Sequence, residues 1–387
     1  MNKIKLIRIT TVPISLKTLL KGQHRYMTQN GFEVIGVAST GKELCEVQET
    51  EGIRVVALNM TRTIAPFKDI VSLWHMYQLC KYEKPTIVHS HTPKAGIIGM
   101  LGAKLAGVPI RLHTVAGMPL METSGSKRML LIWVEKATYA FATKVYPNSK
   151  GLFDFILEKR FTTKNKLKII ANGSSNGIDT SHFSPKVVTT NQKIELKAKL
   201  GIASDDFVFI FVGRLVKDKG INELIHAFQK LYSQNSDIKL LLVGDYENDL
   251  DPLLPTTLEL IEKSNGIIAV GFQNDVRPYF AISDCLVFPS YREGFPNVVM
   301  QAGAMGLPSI VTDINGCNEI ILDSQNGLII PPKHTKAIQE AMKKIYEEKE
   351  LYQKLKKNAR IFIQSHYEQQ FVWNEILIEY KYLQSRE

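Results

Sequence analysis

The chain has 387 residues, of which 44% are hydrophobic and 22% charged, a composition typical of globular proteins long enough for two domains. No apolar run reaches the roughly 18 residues of a membrane span, and residues 1–5 lead into a strand-like run rather than a signal-peptide core, so we expect a cytoplasmic protein. The four cysteines lie far apart without a C-x-x-C pair. Because their neighbours are mostly apolar, we expect all four to be reduced core residues, and we expect neither a disulfide nor a zinc site.

The net charge of +10 is unevenly distributed along the chain. Residues 1–170 hold 25 lysines and arginines against 11 acidic residues, a net charge of +14, whereas the remainder carries −4. A basic half favours an anionic partner such as a bilayer surface, a lipid diphosphate or nucleic acid. Because these cations are not packed in blocks and no aromatic-studded basic stripe accompanies them, we do not expect a nucleic-acid partner.

Short β-branched runs alternate with helical stretches in the first half of the chain. Strands are predicted at 3–9, 33–38, 53–58, 86–90, 110–115, 144–146 and 168–170, with helices between them that include 67–82, 94–106, 127–142 and 150–160. This alternation is typical of a parallel sheet covered on both faces. The Gly/Asn/Ser-rich segment 172–177 predicts a loop, where we place a domain boundary.

The second half repeats this pattern. Strands are predicted at 207–212, 239–243, 267–270, 285–289 and 308–312, and helices at 221–232, 277–281, 297–305, 335–349 and 351–364. The predicted fold class is α/β, with two Rossmann-like, doubly wound domains at 1–178 and 185–366 and a C-terminal helix at 367–387 that crosses back to the first domain. Two such domains leave a cleft at the carboxyl ends of their strands, where ligands bind in these sheets.

Residues 289–308 form the densest functional signal. A strand ends at Pro289, a charged loop follows, Pro296 suits a first helical turn and Gly306 ends the helix. Glu293 therefore lies just ahead of a helix N-terminus, where free N–H groups favour an anion such as a diphosphate. A purely structural role for Glu293, as an acid that complements the helix dipole, is the alternative.

This stretch resembles the E-x7-E signature of the retaining glycosyltransferase family 4, whose members have the GT-B fold of two Rossmann-like domains. The resemblance implies that Glu293 contacts the donor sugar. The second acid of the signature binds the ribose in the family, and its position here is Gln301, an amide that can accept from one hydroxyl and donate to the other. The residues between them that we assign to the same nucleotide-sugar site are Gly294, Phe295, Pro296 and Asn297.

Three further segments resemble elements of the same family. In residues 213–220 the resemblance assigns Gly213, Arg214 and Lys219 to the donor diphosphate, where cations stabilise an anionic leaving group. Phe272 matches the segment before the donor base. In the loop 315–320, Asn315 replaces a family glycine and is expected to adopt the positive φ that this position requires, and Glu319 is expected to organise the loop.

The first half supplies weaker signals. Residues 89–96 resemble the family's H-x-H-x2-K-A-G segment, and because that spacing is common in structural turns we expect no metal at His89 and His91. Many members of the family have a histidine near the donor sugar at the position that Ala116 occupies here. His113, three residues earlier, is our candidate for that catalytic role. The family's glycine pair after the first strand is replaced by residues 10–16. The triplet 249–251 (Asp-Leu-Asp) is predicted to be a solvated loop.

Apolar residues flank the basic pair 127–128 on both sides, at 118–121 and 129–134. This arrangement favours contact with an anionic bilayer. Packing of the same residues in the core is the alternative.

The family resemblance and the charge asymmetry together imply the function. We expect a retaining glycosyltransferase that needs no metal or other cofactor and uses a UDP-linked sugar. The expected acceptor is a polyprenyl-diphosphate-linked saccharide at the inner face of the cell membrane, in assembly of a bacterial capsule or lipopolysaccharide. No second carboxylate is evident as an inverting base, so front-face substitution is expected. The alternatives are a UDP-sugar 2-epimerase of the same fold and a non-catalytic nucleotide-sugar binder.

Overall fold

The computed structural model describes residues 4–61, 63, 65–118, 120, 125–247, 249 and 251–386. The chain divides into two compact units, one of residues 1–177 with 370–387 and the other of residues 178–369. Within the described ranges, each unit contains one six-stranded sheet whose strand pairs are all parallel. The predicted α/β class is therefore confirmed.

The sheet of the first unit has the strand order β3-β2-β1-β4-β5-β6. Its strands are β1 (Ile4–Ile9), β2 (Phe32–Ala38), β3 (Arg54–Ala57), β4 (Ile87–Ser90), β5 (Ile110–Val115) and β6 (Lys144–Pro147), and its helices are α1 (Pro13–Leu19), α2 (Gln23–Gln29), α3 (Lys42–Glu51), α4 (Pro66–Glu83), α5 (Pro93–Ala106), α6 (Gly125–Phe141) and α7 (Lys150–Glu158). The order reverses between β1 and β4, the switch point at which doubly wound sheets bind ligands.

Successive residues of β1 enter different cores. Leu6 lies in the cluster on one face of the sheet, and Ile7 lies in the cluster on the other, because strand side chains alternate in direction. Both faces of this sheet are therefore buried, which explains why its strands are nearly continuous apolar runs.

The strand predicted at 168–170 is wrong. Leu167 forms only an isolated bridge with Val145, and Ala171 then adopts a φ of +52°. The backbone turns away at that residue, so pairing with β6 cannot extend.

The sheet of the second unit has the strand order β12-β11-β10-β7-β8-β9. Its strands are β7 (Phe207–Val212), β8 (Ile238–Val243), β9 (Ile267–Ala269), β10 (Cys285–Phe288), β11 (Ser309–Thr312) and β12 (Gly327–Ile330), and its helices are α8 (Thr190–Lys199), α9 (Ile221–Tyr232), α10 (Pro255–Lys263), α11 (Arg277–Ala281), α12 (Asn297–Ala304), α13 (Cys317–Ile320), α14 (Thr335–Glu347) and α15 (Lys349–Tyr367). The sequence analysis missed β12, α8, α10 and the short α13, whose residues it assigned to a loop. The short apolar run of β12 does not distinguish a strand from a buried helix segment.

The last helix, α16 (Gln369–Gln384), packs on the first unit. Val372, Ile376 and Tyr380 belong to the same apolar cluster as Leu6. The Tyr380 hydroxyl also accepts a hydrogen bond of 3.1 Å from the guanidinium of Arg8. Apolar packing and a buried polar contact thus both hold this helix on the unit that contains the chain's N-terminal strand.

Two further expectations concern the membrane and the cysteines. Among the described helices, none is long and apolar enough to cross a membrane. All four cysteines are free, and Cys80, Cys285 and Cys317 are buried. Cys45 is exposed, so its predicted place in the core is wrong. It follows the buried Leu44 on α3, and because successive helix residues point about 100° apart, Cys45 lies off the buried face.

Replacing Ile376 by Ala should lower the free energy of unfolding by about 2–4 kcal/mol, because it leaves a cavity in a closed core. Ile378 on the same helix is 50% exposed, and its replacement by Ala should cost no more than about 0.5 kcal/mol. Urea unfolding of both variants measures the difference. Equal losses of unfolding free energy in the two variants would show that Ile376 is not buried against the first unit.

Candidate active site

Lys219 and Glu293 meet at the carboxyl edge of the second sheet. The first lies in the turn after β7 and the second in the loop after β10, and these two strands are neighbours. Carboxyl ends of parallel strands meet at one edge of a sheet, so residues 74 apart in sequence form an ion pair between Lys219 Nζ and Glu293 Oε1. Both side chains are largely buried, 17% and 16% exposed.

The Glu293 carboxylate is also held from the strand that precedes it. The fully buried Ser290 donates its hydroxyl to Glu293 Oε1 at 2.8 Å, and its carbonyl accepts from the hydroxyl of Thr312 at the end of β11. The Lys219 ammonium lies 5.5 Å from the centre of the Phe288 ring, a favourable cation–π distance. Two strands and one turn therefore orient a single carboxylate.

Asn315 supports the Glu293 loop through its side chain rather than through the expected positive φ. It is absent from the described residues with positive φ, so the prediction of a left-handed Asn315 is wrong. The positive φ of +77° belongs to Gly316. The Asn315 side-chain amide instead donates to the carbonyls of Glu293, at 3.1 Å, and Gly294, at 2.7 Å, which ties the loop down.

Two glycines allow the loops of this edge to approach closely. A Cβ at Gly316 would lie 2.4 Å from the carbonyl oxygen of Gly294, and a Cβ at Gly220 would lie 2.2 Å from that of Pro289. No side chain fits at such distances, and both residues have positive φ. The position of Glu293 thus depends on backbone contacts that only glycine permits.

The helix after Glu293 begins at Asn297, as predicted. Pro296 is the N-cap of α12, with φ −76° and ψ 110°, rather than part of its first turn. The N-cap residue Pro296 provides no side-chain hydrogen bond to this terminus, which leaves backbone N–H groups available to an anion. Phe295 packs against the ring of Tyr367 at 5.4 Å. Gln301 lies in α12, half-buried, and its side-chain amide makes no hydrogen bond to another described residue.

Arg214 lies at the same edge but is paired differently. It follows Gly213 at the end of β7, and its guanidinium contacts Glu247 at 2.5 Å. Both side chains are substantially exposed, at 57% and 32%. Phe272, after β9, has an exposed ring, and its backbone N–H donates to Asp245 at 2.9 Å.

Asp251 has a structural role that the sequence analysis missed. Its carboxylate accepts a hydrogen bond of 2.7 Å from the backbone N–H of Asp218, in the turn that carries Lys219. The prediction that this acid is only solvated is therefore wrong. Leu250, the middle residue of the Asp-Leu-Asp triplet, lies outside the described residues.

His89 and His113 of the first unit are buried and form hydrogen bonds within that unit. His89 uses both ring nitrogens, one with Tyr380 at 2.6 Å and the other with Thr114 at 2.8 Å. His113 pairs with the hydroxyl of Ser90 at 2.8 Å, and burial lowers the pKa of His113 to about 4, so its ring is neutral at pH 7. No cluster of three or more His, Cys, Asp or Glu that could hold a metal occurs in the described part of the chain.

The apolar run 129–134 is partly exposed. Met129, Leu130 and Trp133 lie on the surface, Trp133 at 70% exposure, so core packing is the wrong alternative for these three. Pro119, Met121 and the side chain of Lys127, which the sequence analysis placed in the same feature, lie outside the described residues.

Comparisons with known proteins agree with this architecture. Residues 21–173 match the family model "Glycosyl transferase 4-like domain", and residues 192–362 match "Glycosyl transferases group 1". The chain is 33% identical over 376 residues to the capsular polysaccharide biosynthesis glycosyltransferase CapM of Staphylococcus aureus, covering 97% of this chain and 96% of that protein.

A second relative and a solved structure extend the comparison. The UDP-Gal:alpha-D-GlcNAc-diphosphoundecaprenol alpha-1,3-galactosyltransferase of Escherichia coli is 28% identical over 358 residues, with 90% of each chain covered. Anabaena Alr3699/HepE, crystallised in complex with UDP-glucose, superposes with a TM-score of 0.79 at 17% identity, covering 98% of this chain and 99% of that one. The last likeness concerns the fold, and it confirms the predicted GT-B class.

Replacing Gly316 by Ala should displace the loop that carries Glu293 and reduce glycosyltransferase turnover at least tenfold, because the new Cβ overlaps the Gly294 carbonyl. Gly52 offers a matched control, since it has a φ of +67° but nothing within 4 Å of a Cβ. Gly52→Ala should cost about 1 kcal/mol of stability and leave turnover intact. Normal kinetics in the Gly316→Ala variant would contradict the proposed dependence on close approach.

Proposed function

This chain belongs to glycosyltransferase family 4, and from that membership we propose that it moves a sugar from a UDP-sugar to a polyprenyl-diphosphate-linked saccharide. The product contributes to a bacterial capsule or a related surface polysaccharide. The ion pair of Lys219 with Glu293 carries the proposal, because it joins a cation for a diphosphate to an acid for a sugar at one sheet edge. The Staphylococcus aureus relative is named for capsular polysaccharide, and the Escherichia coli relative is named for UDP-Gal and a diphosphoundecaprenol acceptor.

Arg214 and Lys219 bind the donor diphosphate. The pair of Arg214 with Glu247 is solvent-exposed, and exposed ion pairs contribute little net stability. A diphosphate, with several charged oxygens, can therefore take over the guanidinium at small cost. The uncapped N-terminus of α12 supplies backbone N–H groups for the same charge.

Glu293 positions the donor sugar, and two other side chains hold the nucleoside. The described contacts from Lys219 and Ser290 both reach Oε1 of Glu293, which leaves Oε2 to accept from a sugar hydroxyl. Gln301 binds the ribose through its amide. Phe272 offers an exposed aromatic face to the base.

Transfer proceeds with retention and without a metal. Residues 289–308 contain no carboxylate besides Glu293, and Glu293 is engaged with Lys219 and Ser290, so this segment offers no second acid as a base for inversion. The departing phosphate oxygen therefore takes the proton of the acceptor hydroxyl, while the bond from the anomeric carbon to UDP breaks and the bond to the acceptor oxygen forms on the same face. Lys219 and Arg214 stabilise the negative charge that develops on UDP. The catalytic role expected of His113 in the first unit stays a prediction, and burial keeps its ring neutral.

A panel of UDP-sugars tests the activity in the presence and absence of an undecaprenyl-diphosphate saccharide and of EDTA. Release of UDP that requires the acceptor and survives EDTA supports the proposal. Isomerisation of the donor without acceptor would identify the 2-epimerase. Donor binding without any turnover would identify the non-catalytic binder.

Replacing Glu293 by Gln should lower kcat roughly 10²–10³-fold, the size of effect seen when one group that stabilises a transition state is removed. The Kd of UDP should change only a few fold, because UDP lacks the sugar that Glu293 contacts. Isothermal titration and a UDP-release assay measure the two quantities. Glu259, an exposed acid paired with Lys263, provides the Glu→Gln control, and equal kcat in both variants would refute the role of Glu293.

The enzyme works at the inner surface of the cell membrane. Four apolar residues form an exposed stripe along one side of α4, with Phe67 86% exposed: Phe67, Ile70, Val71 and Trp74. Their spacing of three and four residues places them on one helix face. Helix α4 packs on α5, and α5 packs on α6. On α6, Met129, Leu130 and Trp133 are exposed.

The charge of these three helices complements an anionic bilayer. Their exposed basic residues include Lys68, Lys104, Arg128 and Lys136, whereas every described acidic residue on them is buried or half-buried. Exposed aromatic side chains beside lysines and arginines are typical of surfaces that enter the headgroup region. A lipid-linked acceptor is presented at that region.

The triple variant Phe67→Ser, Trp74→Ser, Trp133→Ser should lose at least tenfold in affinity for vesicles that contain phosphatidylglycerol, since it removes apolar area that inserts into the interface. Vesicle sedimentation measures the partition. The exposed Ile194 and Leu254 of the second unit provide a matched Ser double variant, which should bind like the wild type. Undiminished binding of the triple variant would contradict this surface.

A further inference from the structure

Tyr291 lies two residues before Glu293 in the loop after β10, and it contacts three other segments of the second unit. Its backbone N–H donates to the carbonyl of Asp218 at 2.9 Å, its hydroxyl donates to Oε1 of Glu223 at 2.7 Å, and the Lys333 ammonium lies 4.8 Å from the centre of its ring. A single residue therefore connects the Glu293 loop to the turn after β7, to α9 and to the segment after β12. None of the motifs discussed above gives a role to Tyr291 or Glu223.

The hydrogen bond between Tyr291 and Glu223 runs parallel to the ion pair of the candidate site. Glu223 lies in the first turn of α9, four residues after Lys219. Tyr291 lies just before Glu293 on the other segment. The hydrogen bond therefore joins the same two segments as the contact between Lys219 and Glu293.

This hydrogen bond is partly shielded from solvent. Both side chains are half-buried, and burial together with the Glu223 carboxylate raises the pKa of Tyr291 well above its ordinary value, so the hydroxyl remains a donor. Oε2 of Glu223 has no partner in the described part of the chain. Loss of the tyrosine hydroxyl would therefore leave both oxygens of this carboxylate without a hydrogen bond to a described residue.

A second ion pair between the same segments is more exposed. Arg292 pairs with Asp218, and their side chains are 46% and 36% exposed. Exposed ion pairs contribute little net stability. The contact of Tyr291 with Glu223 is therefore better suited to hold the two segments together.

Donor binding weakens the ion pair of the candidate site. In the proposed function Lys219 binds the donor diphosphate, whose anionic oxygens compete with the Glu293 carboxylate for the same ammonium. The loop then loses this support at the stage when Glu293 holds the sugar. A displacement of about 1 Å at such a stage can lower a rate roughly a hundredfold.

We propose that Tyr291 is a positioning residue of the transfer, whose hydrogen bond to Glu223 keeps the Glu293 loop in register with the Lys219 turn when the diphosphate draws Lys219 away. Tyr291 and Glu223 act on the reaction through the position of Glu293. The stage at which they act rests on the proposed function, whereas the connection between the two segments rests on their geometry alone.

Turnover of a UDP-sugar by variants of both residues tests the role in the reaction. Tyr291→Phe removes the hydroxyl and keeps the ring, and Glu223→Leu removes the acceptor. Each should lower kcat about tenfold and change the Kd of UDP less than about threefold. The variant with both changes should also lose about tenfold, because two residues of one contact are not additive. Glu223→Gln should keep kcat within about threefold of the wild type, since its amide oxygen still accepts from the hydroxyl.

Tyr346→Phe provides the matched control. The Tyr346 hydroxyl donates to the carboxylate of Asp237 at 2.7 Å, and Asp237 precedes β8, at the amino edge of the same sheet. This variant loses the same kind of hydrogen bond away from Glu293 and should keep the wild-type kcat. Thermal unfolding of every variant shows whether it is folded at the assay temperature.

Hydrogen–deuterium exchange tests the connection without any substrate. Lys219→Met removes the ammonium from Glu293, as a diphosphate would. Tyr291→Phe and Lys219→Met should each raise the exchange rate of the backbone amides at 290–295 no more than about threefold. The chain with both changes should exchange at least about tenfold faster than the wild type, because neither connection then remains.

Four results are decisive. Unchanged kcat in Tyr291→Phe, or an equal loss in Tyr346→Phe, would overturn the positioning role. A roughly hundredfold loss on combining Tyr291→Phe with Glu223→Leu would show that the two side chains act separately, which would overturn it as well. Equal exchange rates in Lys219→Met with and without Tyr291→Phe would overturn the connection itself. The expected exchange pattern in a protein that turns over no UDP-sugar would leave the connection standing and refute the proposed transferase activity.

Discussion

The close approach of loops at the carboxyl edge of the second sheet is the constraint on which the candidate active site depends. Gly220 lies against the carbonyl of Pro289, and Gly316 lies against that of Gly294, at separations that exclude any Cβ. These contacts bring the turn after β7 and the loop after β10 together, so that Lys219 reaches Glu293. The ion pair thus depends on the backbone contacts that bring Lys219 and Glu293 together, as well as on their opposite charges.

The two units differ in the electrostatics of their strand ends. In the second unit, the edge carries cations and a carboxylate, Lys219, Arg214 and Glu293, which suit an anionic diphosphate with a sugar attached. In the first, burial keeps His91 and His113 neutral and favours protonated Glu135. This difference follows from burial, which disfavours the charged form of each of these groups in the first unit.

Most residues of the proposed donor site could be predicted from local sequence. The residues that hold its loops in place could not. Arg214, Lys219, Glu293 and Gln301 lie in short motifs whose spacing is visible in one segment. The support from Asn315 comes through its side-chain amide, which binds carbonyls 21 and 22 residues away, so positive φ was the wrong expectation. Asp251 was taken for a solvated residue, although it accepts from a backbone N–H 33 residues away. Contacts between distant segments leave no local pattern.

The sequence by itself determined the α/β class, the positions of most strands, the family and the identity of the cations and acid proposed for the donor. It did so because strand and helix periodicity and short motifs are local properties of the chain. Only the tertiary structure decided that Trp133 is exposed rather than packed in the core, that Asp251 holds the turn of Lys219, and that the side chain of Asn315 ties down the Glu293 loop. The burial of a residue depends on which other segments pack against it, and the local sequence around the residue does not specify those segments.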